Sequence, residues 1–533
     1  MTVMTSARPW WQSAVLYQIY PWSFQDSNGD GIGDLRGVES RLDYLVELGV
    51  DAIWLSPIFP SPMADFGYDV ADYCGVDPRF GSLADFDSLL ASAHSRGLKL
   101  LLDFVPNHSS DLHPWFVQSR SSRDNSMRDW YIWRDAAPDG GPPNNWISDF
   151  GGPAWTWDDA TGQYYYHAFL KEQPDLNWRN PEVRAAMLDV LRFWFARGVD
   201  GFRIDVLWHT VKHAGFPDNP LNPNWDPSTG EMNRVFQLHS TDQPEVHDIA
   251  ADMRAIADAF GREGDDRVLI GEIYLPVERL MRYYGQSGEG VHLPFNFQLI
   301  DAPWDARHLA RMIAEYEAAL PHGGWPNWVL GNHDRPRSAT KRGAAQARVA
   351  AMLLLTLRGT PTLYYGDELG MENGDISPDR VRDPRELREP GLGLGRDPLR
   401  TPMVWDDSPQ GGFTSGEPWL PLGAGWRDRN VAAEWSNPGS MLRLHKALLT
   451  LRRNSPALAT GSIRLMEAEG SVLAYERREG DECYVIALNL GSAPASISLT
   501  GQPIISTLGD LPSGTPSLLR LDEGLILKVD TPA

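Results

Sequence analysis

The chain has 533 residues, and its 48 Lys and Arg against 71 Asp and Glu give a formal charge of −23 at pH 7. That field repels phosphate backbones and anionic lipid, so nucleic acid and membrane surfaces are not expected as partners. Hydrophobic content of 42% and charged content of 22% are those of a globular protein with a large core, and 21 Trp, 17 Tyr and 18 Phe add an aromatic excess that suits sugar rings as well as packing.

Residues 14–20 read as a first strand, and a polar loop follows at once. Asp26, Asn28 and Asp30 stand at its first, third and fifth positions, Gly31 at the sixth, the Ile32 carbonyl at the seventh and Asp34 at the ninth, which is the front half of a hard-cation loop. The back half is absent, because Gly37 stands where a chelating Glu would close it. Structural Ca²⁺ is expected ahead of Mg²⁺, since irregular oxygen loops suit the larger ion; a merely polar turn is the alternative.

Leu42, Leu45, Val46 and Gly49 recur at helical spacing over 38–49, and 50–55 is a second strand. The alternation continues with helix 84–96, strand 98–105, helix 181–197, strand 199–204, helix 246–260 and strand 268–270. A strand near 293–297, helix 304–320, strand 328–330, helix 343–357 and strand 360–364 complete it. Eight strands alternating with helices predict an α/β fold, a (β/α)8 TIM barrel, over 1–106 and 175–455. Residues 107–174, with a hairpin over 156–168, are too long for a loop and read as an inserted domain; 371–435 form a second insertion at the rim. After a helix at 441–453, short alternating runs at 472–477, 483–490, 497–499 and 525–529 predict a C-terminal antiparallel β-domain of sandwich type over 456–533.

Cys74 and Cys483 are too far apart for a metal motif and read as buried free thiols. Residues 1–12 lack the basic and apolar regions of a signal sequence, and no later window is apolar enough to span a bilayer, so a cytoplasmic location is expected. Monomer and homo-oligomer are equally open.

Barrel enzymes place their chemistry at the C-terminal ends of the strands. Four of these ends hold polar clusters: Asp103 to His108, Arg203 with Asp205, Glu272, and His333 with Asp334. Arg203 and Asp205, two residues apart on a strand, share a face, so the guanidinium should hold Asp205 ionised. Glu272, facing other carboxylates, should be pushed upward and stay protonated as an acid. There is no Gly-rich phosphate loop, no Ser nucleophile elbow and no HExxH pair, and nothing calls for an organic cofactor. Paired carboxylates on an aromatic rim suit glycosyl transfer, in which one attacks the anomeric carbon and the other protonates the leaving oxygen.

These strand ends resemble the four signature regions of the α-amylase superfamily of retaining glycosidases and transglycosylases. The matching stretches are Asp103-Phe104-Val105-Pro106-Asn107-His108, residues 201–209, Gly271-Glu272-Ile273-Tyr274 and Gly331-Asn332-His333-Asp334. Gln173-Pro174-Asp175-Leu176-Asn177-Trp178, Arg400-Thr401-Pro402-Met403 and the loop from Asp26 to Asp34 are most similar to its exo-acting α-glucosidase and oligo-1,6-glucosidase branch. The resemblance implies Asp205 as nucleophile, Glu272 as general acid/base and Asp334 as the carboxylate that grips the 2- and 3-hydroxyls. It further implies that Asp65 and Arg400 hold the far end of the non-reducing glucose, that Tyr68 is its stacking floor, and that His108, Arg203, His333, Phe169 and Gln173 complete the pocket. Asp26, Asn28, Asp30, the Ile32 carbonyl and Asp34 carry over as the metal loop.

The implied partners are small α-glucosides, of isomaltose or maltose type and extending to sucrose or trehalose, cut at the non-reducing end with some transglucosylation. A transglucosylase, sucrose isomerase or trehalose synthase is the rival reading, because it shares the glycosyl-enzyme intermediate. A non-catalytic binding relative is disfavoured by the presence of all three carboxylates. In this branch Val at the place of Val206 accompanies α-1,6 cleavage and Thr accompanies α-1,4 cleavage; a plain packing role for Val206 competes with that selective one. Phe66 departs from the Asn that relatives often carry before Gly-Tyr-Asp, and Asp69 is expected to order that loop rather than touch sugar.

Overall fold

The structure, a computed structural model, describes residues 8–467, 470–514 and 516–529. Residues 1–7, most of the segment read as lacking a signal sequence, and the last four residues of the C-terminal module lie outside the described residues.

Eight parallel strands form the central sheet: Leu16–Ile19, Ala52–Leu55, Lys99–Phe104, Gly201–Ile204, Val268–Gly271, Leu293–Pro294, Asn327–Val329 and Thr360–Tyr364. In sheet order the first strand lies between the eighth and the second, and the sixth and seventh are the two ends. A bridge between Asn296 and Trp328, with the Asn296 amide donating to the Asn327 carbonyl at 3.0 Å, draws those ends together. The sheet is therefore a nearly closed barrel. Period-two alternation sorts its side chains: Leu16, Ala52, Trp54, Leu101, Val268, Ile270, Leu293 and Val329 fill the interior, with Trp11 in the same cluster. Tyr17, Ile53, Leu100, Leu102, Phe202 and Leu269 face outward against the helices.

The helices end where the sequence says they should. Pro181–Arg197 starts with Asn180 capping the Glu182 amide and Pro at its first position, and it stops at Gly198 in the left-handed region. Its Val183, Met187, Leu191, Trp194 and Phe195 are buried. Between the third and fourth strands, Trp133–Arg134, Trp155–Asp158 and Gln163–Tyr166 form a three-stranded antiparallel sheet. At the C-terminus a five-stranded antiparallel sheet and a two-stranded one follow the helix Met441–Arg453. Leu473, Tyr475, Ile486, Leu488 and Ile526 face the main core, while Val472, Ala474, Val485, Leu525 and Leu527 pack with Ile497 and Leu519 of the small sheet.

Among the described residues no helix is long and apolar enough to cross a membrane. Both cysteines are free thiols; Cys483 is buried, but Cys74, expected to be buried, is partly exposed.

Candidate active site

The fourth strand delivers the centre of the site. Arg203 is 1% exposed, and its Nη1 donates to Asp205 Oδ1 at 2.7 Å and to Asp103 Oδ1 at 2.9 Å, while Nη2 meets Glu272 Oε2 at 2.6 Å. One guanidinium thus ties together carboxylates from the third, fourth and fifth strands. Asp205 and Glu272 are held side by side, because they take neighbouring nitrogens of the same guanidinium. The next residue closes the arrangement. Val206 lies at φ 33° and ψ 45°, left-handed backbone that a β-branched side chain enters only at a cost of about 1–3 kcal/mol. This turn aims the Val206 amide at Glu272 Oε2, 2.9 Å away.

The expectation that Arg203 would hold Asp205 ionised is corrected here. Burial pushes the Asp205 carboxyl well up, Arg203 opposes the shift, and Glu272 and Asp103 reinforce it. Glu272 is raised too, by burial first and by Asp334. Asp103 is pushed up to about 7 by burial, against the pull of Arg203. Three buried carboxylates share one cation, so the group titrates as a unit, above the range of free carboxylates.

Asp334 has the opposite environment. Burial alone would raise it, but His333, Arg396, Arg400 and Arg203 outweigh burial and hold it well below the carboxylate range. Burial keeps His333 itself neutral, so the arginines carry most of this effect. Arg400 Nη2 donates to Asp334 Oδ1 at 3.0 Å and Arg396 Nη1 at 3.4 Å. The Tyr68 and His333 rings stack with centroids 5.4 Å apart and an interplanar angle of 3°, and Tyr68 Oη also bonds Asp103 Oδ2 at 3.1 Å. Gln173 Nε2 reaches Asp65 Oδ2 at 3.2 Å and His108 Nε2 at 3.1 Å.

These groups surround a cavity of about 250 Å³. Of the residues expected from the sequence, Asp65, Tyr68, His108, Phe169, Gln173, Asp205, Val206, Glu272, His333 and Asp334 line it. Arg203 lies behind the carboxylates. Arg400 does not line the cavity either: it is fully buried, with Nε on the His333 carbonyl at 2.9 Å, and it supports Asp334 from behind. The arginine paired with Asp65 is Arg396. Its Nη2 donates to Asp65 Oδ1 at 2.6 Å and to Asp383 Oδ1 at 2.7 Å, so one side chain from the rim insertion clamps Asp65, Asp334 and Asp383.

Arg396, Asp149, Phe150, Trp208, Met232, Gln237, Tyr274, Arg335 and Arg385 also line the cavity and were missed in the sequence reading. For Arg396 a signal existed, a second Arg four residues before Arg400. Asp69 orders its loop as expected, accepting the Ala64 and Asp65 amides at 2.8 and 3.0 Å. Phe66, at φ 49° where Asn is better tolerated, packs on Trp22 and Trp419 and does not line the cavity.

The inserted segment is joined to the barrel by a buried cation of the chain itself. Lys212 Nζ donates to Asn107 Oδ1 at 2.7 Å and pairs with Asp175, whose Oδ2 also accepts the Asn107 amide at 2.9 Å.

The 26–34 loop offers only oxygens, which suits a hard cation. Its carboxylates also organise the loop's own backbone: Asp26 accepts the Asn28, Gly29 and Gly31 amides, each at 2.8 Å, and Asp34 caps the Gly37 amide at 2.7 Å. Among the described residues no three His, Cys, Asp or Glu side chains cluster as a metal set. A cation here would rest on Asn28 and the Ile32 carbonyl as much as on Asp26, Asp30 and Asp34.

A family model for the alpha amylase catalytic domain matches residues 18–461. The chain is 42% identical over 515 residues to a probable alpha-glucosidase of Rhizobium meliloti (strain 1021), covering 92% of this chain and 91% of that one. It is 38% identical over 539 residues to an oligo-1,6-glucosidase of Parageobacillus thermoglucosidasius, covering 94% of each. Among solved structures, an alpha-glucosyl transfer enzyme superposes with a TM-score of 0.92 at 40% identity, covering 98% of this chain and 100% of that chain.

Proposed function

We propose that this chain, which belongs to the alpha-amylase family of glycoside hydrolases, is a retaining, exo-acting α-glucosidase that releases α-glucose from the non-reducing end of short α-glucosides. The observation that carries the reading is that the single Arg203 guanidinium bonds both Asp205, at 2.7 Å, and Glu272, at 2.6 Å. Carboxyl groups this close leave no room for an intervening water, the arrangement of double displacement. The acidic proton sits on Glu272 as the glycosidic bond lengthens, because the positive charge growing at the anomeric carbon favours an ionised Asp205. Asp205 forms a bond to that carbon while Glu272 protonates the leaving oxygen. Glu272 then removes a proton from a water, which attacks the same carbon and frees Asp205.

Exo attack is supported by the far wall, where Asp65, Gln173 and Arg396 close the cavity around a volume suited to one glucose. Asp334, held ionised, grips two hydroxyls, and Tyr68 supplies the floor. Transfer to a sugar hydroxyl instead of water uses the same intermediate, and the likeness to a glucosyl transfer enzyme favours some transglucosylation beside hydrolysis. Structural Ca²⁺ in the 26–34 loop and a cytoplasmic site of action, supported by two unpaired cysteines, belong to the same proposal.

The test is product analysis on maltose, isomaltose, sucrose and trehalose, with NMR of the first-formed anomer. Glucose should appear as the α-anomer. β-Glucose would overturn double displacement, and a new disaccharide as the main product would favour the isomerase reading. Asp205→Asn and Glu272→Gln should each lower turnover by about 10²–10⁴-fold with melting temperature retained.

A further inference from the structure

The glucose pocket opens into more space than one sugar needs. Asp334, Arg335 and Arg385 line it and also line a second cavity of about 830 Å³ beneath the rim insertion. Arg335 lies over the Tyr274 ring, 4.9 Å from its centroid. Arg385 has its Nε buried without an acceptor, and its Nη2 rests on the sulfur of Met232 at 3.3 Å.

Neither guanidinium forms an ion pair among the described residues, whereas Arg396 and Arg400, from the same side of the pocket, reach carboxylates at 2.6 and 3.0 Å. Three of the acids nearby are already engaged, while Glu389, whose Oε1 accepts the Glu231 amide, keeps a buried Oε2 without a donor. Asp334 accepts from Arg396 and Arg400, and Asp149 accepts the Gln237 amide at 2.6 Å. Glu386 accepts the Gly391 and Gly395 amides. Both guanidiniums are half-buried and free of ion pairs, and an arginine so placed can take an oxyanion in a bidentate grip.

We propose that Arg335 and Arg385 bind an oxyanion, carboxylate or phosphate, on the leaving group of the substrate and on the acceptor in transfer; this rests on the α-glucosidase reading above. The enzyme's preferred substrates are then α-glucosides of acidic aglycones.

Two matched pairs test it on the wild-type enzyme. Maltobionate and maltitol share the glucosyl unit, the linkage and an open-chain aglycone, and differ by a carboxylate; trehalose 6-phosphate and trehalose differ by a phosphate. The anionic member of at least one pair should have a kcat/KM about tenfold higher at low salt, expressed in KM. That advantage should shrink as ionic strength rises and fall to about twofold or less in the Arg335→Gln/Arg385→Gln variant. Which pair responds identifies the oxyanion. Equal kcat/KM within both pairs, with the neutral members turned over, would overturn the proposal and leave the glucosidase reading standing. No turnover of maltose, isomaltose or any of the four probes would remove that reading, and this one with it.

Discussion

Replacing Arg396 with Met keeps the length of the side chain and removes the cation from three carboxylates at once. Asp383 retains backbone donors, including the Arg396 amide at 2.6 Å, and Asp334 retains Arg400 at 3.0 Å. Asp65 is stranded. It is 4% exposed, and beyond Arg396 its carboxylate keeps only the Gln173 amide at 3.2 Å. Breaking a buried pair in this way costs about 3–5 kcal/mol, less whatever Asp65 recovers by taking up a proton. At about 2.1 cal/mol/K of unfolding entropy per residue, a cooperative unit of this size loses roughly 1 °C per kcal/mol, so melting should fall by about 3–5 °C. Calorimetry measures that fall, and initial rates on maltose measure the other half: kcat/KM should drop by about 10²-fold or more, because the far wall and Asp334 both loosen. Arg396→Lys keeps the charge but not the fork, and it should restore part of the melting temperature and little of kcat/KM. An Arg396→Met enzyme that melts and turns over like the wild type would refute the clamp.

The pH profile of kcat/KM should be a bell whose acid limb lies above the ordinary carboxylate range of about 3.9–4.3, because burial raises both Asp205 and Glu272; activity is lost as falling pH protonates the nucleophile and as rising pH strips the acid. A limb at pH 4 or below would contradict the raised carboxyls. Chelation should lower the melting temperature more than it alters kcat in protein still folded, since the 26–34 loop lies apart from the three carboxylates, and restored Ca²⁺ should reverse the change; unchanged melting with activity lost would point to a catalytic metal. Val206→Thr, which keeps the β-branch at the strained turn, should shift the isomaltose-to-maltose ratio of kcat/KM by about 10–200-fold at most; an unchanged ratio would leave Val206 a positioning role only.

The barrel was legible because parallel strands are buried on both faces and read as short apolar runs between amphipathic helices. The run near 293–297 is regular strand only over Leu293–Pro294, with a single bridge beyond it at Asn296, while Phe295 and Phe297 fill the barrel interior. Ser462–Leu465 and Gln502–Ser506 went unnoticed because both lie at sheet edges, are mostly half-exposed and lack a full apolar stripe. The same limit applied to the site. Carboxylates at strand ends announce themselves by position, whereas Met232 and Arg385 sit on helical pieces of four and five residues and Gln237 outside any element, all too short to show a period. The ionisation of Asp205 was misjudged because Arg203 has three claimants, and only the third dimension shows the other two.

The buried lysine between barrel and inserted segment has a consequence for how the pocket is assembled. A divalent ion at such a joint would come and go with its concentration in the surroundings; an ammonium fixed to the chain stays at a constant, high local concentration. Chelators therefore cannot undock the wall that carries Phe169 and Gln173, whatever they do to the 26–34 loop. What can weaken it is hydroxide. Burial pulls the Lys212 pKa down, with Asp175 resisting, so in alkaline solution this joint should discharge before exposed lysines do, leaving the inserted segment held by its apolar packing on the barrel.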